Sequence, residues 1–384
     1  MKRIAIFTSA DSFETWFQGV FGLSRETYVN KYRNDWVWEY AIGLAELGHE
    51  MVIYILSRGE NELREALPGI SVRFVALAWW HRFVDPILYR ISSWPGVAEL
   101  RATFEASAFW RSLAQGLQDD RVDVLYNQEF WTPRFDQLVT HLPLPIVGAD
   151  HGAIYDGRVR TKQRTLKLAA RLICQSQYQL KTIRALGADA AIIPNGVDTE
   201  FFCPDVDERE QTPAILTVGR LSDRQKRLTD LITSMKHLPE FKLTIVGSGE
   251  DEAALRALVA SLNLGPRVEF LGFISDRAHL RQLYRTCGVF TLASAWEAMA
   301  LAMLEAMSCG APVVATEIPS FESFIVDGVN GFLAPVGSPE RLSEAIRSAF
   351  HARRSIGKEA RRTVVEHFAA KSVYQKVSKV IQTI

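Results

Sequence analysis

Nothing in this 384-residue sequence provides a covalent or metal staple. Its four cysteines, Cys174, Cys203, Cys287 and Cys309, are scattered, with no CxxC pair and no histidine at metal-ligand spacing. Buried, reduced thiols in a cytosolic protein are the expectation. Long apolar runs are missing as well. No stretch approaches the roughly 18 apolar residues that a membrane span requires, and the apolar run in MKRIAIFTSADSFE is too short for a signal peptide. Charge of one sign is not in excess: Lys plus Arg and Asp plus Glu stand at 44 each. No global field therefore advertises a nucleic-acid or membrane partner. There is no internal repeat and no low-complexity tract. These absences leave a cytoplasmic globular protein that at most adheres to a membrane surface. Apolar residues at 48% and charged residues at 23% agree with that class. A single core rarely serves this length, so two domains of about two hundred residues each are expected.

What is present is alternation. Short β-branched runs such as RIAIFT (3–8), MVIYIL (51–56), VRFVAL (72–77), DVLYN (123–127), PIVGA (145–149) and RLICQS (171–176) are separated by helical patterns such as Trp36–Leu47 and Arg101–Leu117. The pattern resumes with AILTVG (214–219), KLTIVG (242–247), RVEFLG (267–272), VFTLAS (289–294) and PVVAT (312–316). Strands apolar on both faces and separated by helices imply parallel sheets covered on both sides. The pattern pauses at Asp205–Pro213, which reads as a linker. The expected fold is α/β, with two Rossmann-like, doubly wound domains facing across a cleft. Residues 1–204 form the first, 205–365 the second, and 366–384 a closing amphipathic helix able to pack on either. Ligands of such sheets bind outside the C-terminal strand ends.

The segment SAWEAMALAMLEAMSCG (294–310) follows a strand end with Glu297 in a turn and a helical composition over Ala298–Met307. All of Ala298–Met307 is apolar except Glu305, so the helix is buried and Glu305 must meet something polar. Sugar hydroxyls would serve, and so would a neighbouring arginine. Glu297 and Glu305 are separated by roughly 12 Å if the intervening chain is helical, at about 1.5 Å per residue. The helix mouth between them offers free N–H groups and a positive dipole end, which suits a diphosphate.

In VGRLSDRQKR (218–227), Arg220 leaves a strand and Lys226 lies in the following loop, where both cations can face the phosphates of a bound nucleotide. They would do there what Mg²⁺ does elsewhere; the plain alternative is a solvated basic loop. VGSGEDEAAL (246–255) is a strand, a Gly-x-Gly turn and a helix, but Glu252 stands where a dinucleotide fingerprint wants a third glycine, so NAD and FAD are discounted. DHGAIYDGR (150–158) places His151 directly after a strand, and IIPNGVDTEFFCP (192–204) shapes the hinge.

Together these segments resemble the retaining GT-B glycosyltransferases of family four, the group-one glycosyl transferases. The resemblance runs from about His151 to Val336: His-Gly, PNGVDxxxF, GRL with a following Lys, VGxGxE, two glutamates flanking seven residues, CGxPVVAT and DGxNGFL. It implies that Arg220 and Lys226 bind the donor diphosphate with the N–H groups near Ala300 and Leu301. It also implies that Glu297 contacts the transferred sugar, that Glu305 holds the ribose, that Ile274 meets the base, and that His151 sits beside the reacting sugar. No metal and no other cofactor is implied, since the nucleotide sugar is a substrate. Front-face displacement, with the leaving phosphate helping to deprotonate the acceptor, would require no carboxylate base.

Three departures stand out. Ala298-Met299-Ala300 follows Glu297 where the family has a Gly and an aromatic. Arg227 follows Lys226 where Gly is usual, and the loop carries one extra residue before Lys226. The N-terminal Gly-Gly loop would fall near Lys31–Tyr32, while the nearest glycines, Gly19 and Gly22, lie upstream as acceptor-side candidates. WWHRFVDPILYRISSW (79–94) interleaves aromatic and basic residues, and Gly157–Ala188 holds eight basic residues and no acidic one. Either an anionic-membrane surface or a buried aromatic cluster beside a solvated helix face accounts for this. The acceptor is unidentified. A sugar-nucleotide epimerase, a phosphorylase or an inactive GT-B subunit are the competing readings.

Overall fold

The computed structural model describes residues 1–8, 12–33, 35–81, 83–84, 97–150, 159–205 and 212–384. Its contacts divide the chain into two units, Met1–Ile193 with Tyr374–Ile384, and Pro194–Val373. The division falls at Ile193/Pro194 rather than after residue 204, and the final stretch is split at Tyr374. Most of the proposed linker lies outside the described residues.

The β-branched runs at the middle of each sheet become strands because their side chains are buried on both faces. In the first unit the strands are β1 (Arg3–Phe7), β2 (Glu50–Ser57), β3 (Glu62–Leu67), β4 (Ile70–Ala76), β5 (Val124–Gln128), β6 (Ile146–Ala149), β7 (Arg171–Cys174) and β8 (Ala191–Ile192). They form an 8-stranded sheet in the order β3-β4-β2-β1-β5-β6-β7-β8. All neighbours are parallel except β3 with β4, an antiparallel pair that the reading of purely parallel sheets did not contain. The helices are α1 (Arg25–Asn30), α2 (Trp36–Glu46), α3 (Val97–Asp119), α4 (Pro133–His141), α5 (Val159–Thr165) and α6 (Gln177–Ala185). Phe109 and Leu113 of α3, Phe135 and Leu138 of α4, and Leu180 and Ile183 of α6 join Ala5, Phe7 and Tyr54 in one core.

The second unit holds β9 (Ala214–Val218), β10 (Lys242–Val246), β11 (Val268–Gly272), β12 (Val289–Leu292), β13 (Val313–Thr316) and β14 (Phe332–Ala334), a 6-stranded sheet ordered β11-β10-β9-β12-β13-β14. Every pairing in it is parallel. Its helices are α7 (Asp223–Lys226), α8 (Leu228–Ser234), α9 (Glu252–Ser261), α10 (Arg277–Thr286), α11 (Leu301–Ser308), α12 (Pro319–Glu322), α13 (Pro339–His351) and α14 (Arg353–His367); α15 (Ala370–Gln382) closes the chain. Alternate strand residues point to opposite faces. Ile215, Leu243 and Val289 meet α8, α9 and α13, while Leu216, Phe290 and Val313 meet α10, α11 and α14. Fully burying a side chain such as Leu304 contributes about 2 kcal/mol.

One feature of each sheet positions a site. Strand order reverses between β1 and β5 in the first unit and between β9 and β12 in the second. At such a reversal the connections leave in opposite directions and open a crevice at the C-terminal strand ends. The first unit is also completed by the end of the chain. Tyr374 packs edge-on against Tyr40 with ring centroids 5.2 Å apart, and a Cβ on Gly43 would sit 1.8 Å from the Tyr374 ring, so only glycine fits there. His49 Nε2 lies 2.8 Å from Ser378 Oγ, and His49 Nδ1 takes the N–H of Lys2 at 3.3 Å.

Candidate active site

The crevice at the β9/β12 reversal collects the residues that the sequence singled out in the second unit. Arg220 follows the end of β9 and is exposed; one guanidinium N–H reaches Gln225 Oε1 at 3.0 Å. Lys226 is the last residue of the one-turn helix α7 rather than a loop residue. Its ammonium donates to Glu297 Oε1 at 2.5 Å, and the two side chains are only 15% and 8% exposed. A pair so shielded holds together more firmly than a surface ion pair, and removing one partner strands the other charge. Ser294 Oγ donates to the same oxygen at 2.7 Å, which leaves Glu297 Oε2 open among the described residues. Lysine has three N–H groups and only one is spent on Glu297.

The loop bearing the cations is held by its neighbour. Gly219 N–H donates to Val246 O at 3.0 Å, Leu221 N–H to Ser248 O at 2.9 Å, and Asp251 N–H to Leu221 O at 3.1 Å. Backbone meets backbone so closely that a Cβ at Gly247, where φ is +135°, would lie 1.9 Å from Gly219 O. One at Gly249 would lie 2.4 Å from Leu221 O. The Gly-x-Gly turn thus braces the Gly219–Leu221 loop. Glu250, helped by its own backbone, the Ser222 hydroxyl and Arg220, is held below the usual carboxylate range. Arg227 explains why glycine is usual after the lysine: its φ is +48° and ψ +43°, the left-handed region. A two-point ion pair to Asp230, at 2.5 and 3.1 Å, offsets part of that strain.

The helix after Glu297 starts later than composition suggests. Residues 298–300 are not helical and α11 begins at Leu301, with Ala300 in an extended conformation and no side-chain cap. Only part of the span from Glu297 to Glu305 is therefore helical, so the 12 Å estimate for their separation does not apply. The delayed start puts the helix mouth, with its uncapped N–H groups at Leu301 and beyond, directly after the Glu297 turn.

One turn in, Glu305 Oε2 accepts the Tyr284 hydroxyl at 2.8 Å. Its internal partner is thus a tyrosine, with the Arg277 charge nearby. Burial pushes its carboxyl up, while the Tyr284 bond and Arg277 hold it down. Ile274, in the turn after β11, packs against the apolar cluster that includes Met303 and Leu304.

The structure therefore brings Arg220, Lys226, Glu297, Ala300 and Leu301 to one strand-end crevice, with Glu305 and Ile274 on the same α11 side of the sheet. Gly19 and Gly22 belong to the other unit, in the segment between β1 and α1; Gly19 caps a single π-turn over Glu14–Gln18 and Gly22 has φ +66°. His151 lies outside the described residues. Ser294, Gln225 and Tyr284 were not singled out in the sequence. Ser294 could have been noticed as the strand-end residue of its motif, but the other two act only through tertiary proximity. Among the described residues no three His, Cys, Asp or Glu side chains converge as metal ligands would. Cys174, Cys287 and Cys309 are buried, and Cys203 is partly exposed.

Two family models match the chain, "Glycosyl transferases group 1" over residues 198–364 and "Glycosyltransferase Family 4" over 35–201. The chain belongs to the group 1 glycosyltransferases with the GT-B fold. Its relatives include the phosphatidyl-myo-inositol mannosyltransferase of Mycobacterium tuberculosis (strain CDC 1551 / Oshkosh), 26% identical over 253 residues. That alignment takes in 62% of this GT-B chain and 65% of the relative, just under two thirds of its length. The UDP-Gal:alpha-D-GlcNAc-diphosphoundecaprenol alpha-1,3-galactosyltransferase of Escherichia coli is 26% identical over 61% of this chain and 68% of its own. Among solved structures, the sucrose-phosphate synthase of Thermosynechococcus elongatus superposes with a TM-score of 0.76 at 20% identity, covering 100% of this chain and 99% of that one. Anabaena HepE in complex with UDP-glucose does so at 0.71 and 17%, with 100% of each chain covered. At these identities the superpositions speak for the GT-B fold alone.

Proposed function

We propose that the chain is a retaining glycosyltransferase that moves a sugar from a nucleotide-diphosphate donor of UDP or GDP type to an acceptor hydroxyl on a saccharide, lipid or small molecule, without a metal. The reading is carried by one observation: the β9/β12 crevice gathers two cations, an uncapped helix mouth and a carboxylate with an open oxygen. The mouth of α11 and the spare N–H groups of Lys226 and Arg220 suit a diphosphate and the negative charge it gains as the glycosidic bond breaks. Glu297, anchored through Oε1, keeps Oε2 for sugar hydroxyls and for positive charge at the anomeric carbon. Glu305 and Ile274 would take the ribose and base, and His151 would approach the reacting sugar. Departure of the donor phosphate on the attacked face would let that phosphate accept the acceptor proton, giving retention. The family relatives named above support sugar transfer, and HepE was solved with UDP-glucose.

A thermal-shift screen with UDP, GDP, ADP and their sugar conjugates tests the donor, since a ligand at one hundred times its dissociation constant adds about 2.7 kcal/mol. No shift with any of them would sink the reading. Nucleotide release that depends on an added acceptor separates transfer from epimerisation, and release unaffected by EDTA supports metal independence.

A lipid acceptor reached at the inner face of a membrane is favoured by the surface of the first unit. Trp79 is 73% exposed and Phe83 56%, while Arg160, Arg164, Lys167, Arg171 and Lys181 stand exposed on and around α5 and α6. His81 in the same aromatic stretch is buried, and most of residues 79–94 lie outside the described residues. Among the described residues no helix is long and apolar enough to cross a membrane, so contact would be peripheral. Anionic vesicles at low salt should retain the protein, and failure to do so removes the membrane from the proposal.

A further inference from the structure

We propose that Gln225 is a positioning residue that couples the diphosphate half of the donor site to the sugar half; this rests on the nucleotide-sugar reading of the β9/β12 crevice. Gln225 sits next to the end of α7 and touches both strand-end loops. Its Oε1 accepts from Arg220 Nη2 at 3.0 Å, its Nε2 donates to Trp296 O at 3.3 Å, and its backbone carbonyl accepts Ala295 N–H at 2.7 Å. Trp296 immediately precedes Glu297. One amide therefore holds a cation aimed at phosphate and the peptide that carries the sugar-side carboxylate.

The residue type fits this task closely. Toward Arg220 the side chain must accept, because guanidinium only donates. Toward the Trp296 carbonyl it must donate. A glutamate at 225 could accept but not donate, a lysine could donate but not accept, and a shorter asparagine would lack reach. Arg220 is exposed and makes no other side-chain hydrogen bond among the described residues, so this contact is what narrows the range of positions its guanidinium visits. A displacement at either loop is then felt at the other, and Gln225 itself needs no contact with the donor.

The test is a double-mutant cycle on the full chain, read by calorimetric titration of UDP, GDP and ADP and of their glucose conjugates. In the unaltered background, Arg220→Ala and Glu297→Gln are expected to be non-additive toward the sugar nucleotide that binds. The double variant should lose about fivefold less affinity than the product of the single losses, the worth of one hydrogen bond. In a Gln225→Met background, where shape is kept and both polar contacts are gone, the two losses should multiply. Gln225→Glu, able to hold Arg220 but not the Trp296 carbonyl, should also abolish the non-additivity, and it carries the test alone if the Met variant loses its cooperative unfolding transition. A merely structural role for Gln225 would lower stability and leave the coupling intact. Coupling that survives both substitutions, or that is absent from the unaltered chain, overturns the proposal while leaving the donor reading standing. If the unaltered protein binds none of the six compounds, the donor reading fails first and the proposal with it.

Discussion

Two helix mouths in this molecule are built in opposite ways. α11 starts at an alanine with no side-chain cap, beside a lysine and a glutamate that each keep bonding capacity in reserve. α2 starts at Asp35, whose carboxylate takes the Trp38 N–H at 3.0 Å. Just upstream, Arg33 donates to the carbonyls of Val29 at 3.0 Å and Tyr32 at 2.5 Å and lies 3.8 Å from the Trp38 ring centroid. The first mouth has no side-chain cap; the second is filled by the chain. Two charged groups of the first unit are filled by the chain in the same way. Glu14 is taken up by Arg25 at 3.1 Å, Ser57 at 2.7 Å and the Arg58 N–H at 2.8 Å. The fully buried Lys162 spends its ammonium on Phe130 O, Thr132 O and Asp136. An unclaimed donor or acceptor at a strand-end crevice is the physical mark of a site, because leaving it unmade costs free energy that a ligand can recover.

The contrast can be broken experimentally, and the largest effect is expected at Lys226. Lys226→Ala removes the cation proposed for the diphosphate and strands Glu297, so turnover should fall at least ~100-fold, measured as acceptor-dependent nucleotide release; wild-type turnover would refute the site. Next comes Ala300→Asp, which would fill the α11 mouth with the chain's own carboxylate as Asp35 does for α2. Donor affinity should drop by about tenfold or more while the melting temperature holds or rises. An unchanged affinity would show that the mouth receives no anion.

A smaller effect is expected from emptying the other mouth. Asp35→Ala should cost about 1 kcal/mol of stability in urea unfolding and leave donor binding unaltered. Burial pushes the Asp35 carboxyl up to about 6, against its bonds to the Trp38 and Val37 N–H groups and the Arg33 charge. A carboxyl raised on folding takes up protons as the chain folds, so its contribution is most favourable at low pH and is lost as pH rises through about 6. Asp35→Asn should flatten that part of the stability profile; an identical profile would contradict the assignment. The smallest change concerns His49, whose imidazole is pushed below its ordinary value, first by burial and then by the nearby positive N-terminus and Lys2. Its neutral form is the one that bonds both Lys2 and Ser378, so this part of stability is complete above the unfolded value near 6.5 and is lost as pH falls below it. Relative to the intrinsic exchange rate at each pH, amides around Ser378 should be less protected at pH 5.5 than at 7.5, and His49→Asn should remove the difference.

Much of the fold and of the proposed donor site is legible in the amino-acid sequence. The strands on either side of that site are short β-branched runs that can be nothing but buried, and the order of motifs from PNGVD to DGxNGFL points to the family. Other parts are hidden for definite reasons. Glu62–Leu67 is built of residues that favour helices, and only its antiparallel pairing with β4 makes it a strand. Ala298–Ala300 also reads as helix, yet α11 begins only at Leu301, after the Glu297 turn. Tyr284 and Gln225 carry no local signal, because each matters through a partner on another segment. Arg227 breaks a pattern in the sequence, and its left-handed backbone shows which requirement the pattern expresses.

The way the chain ends has a consequence for how the molecule is made. Residues Tyr374–Ile384 belong with Met1–Ile193, so the first sheet emerges from the ribosome with Tyr40 and Gly43 still lacking their cover. It can be completed only after the whole second unit has been synthesised. A fragment cut at the boundary near Ile193 would therefore carry an open apolar seam, and adding the terminal helix in trans as a separate peptide should close it.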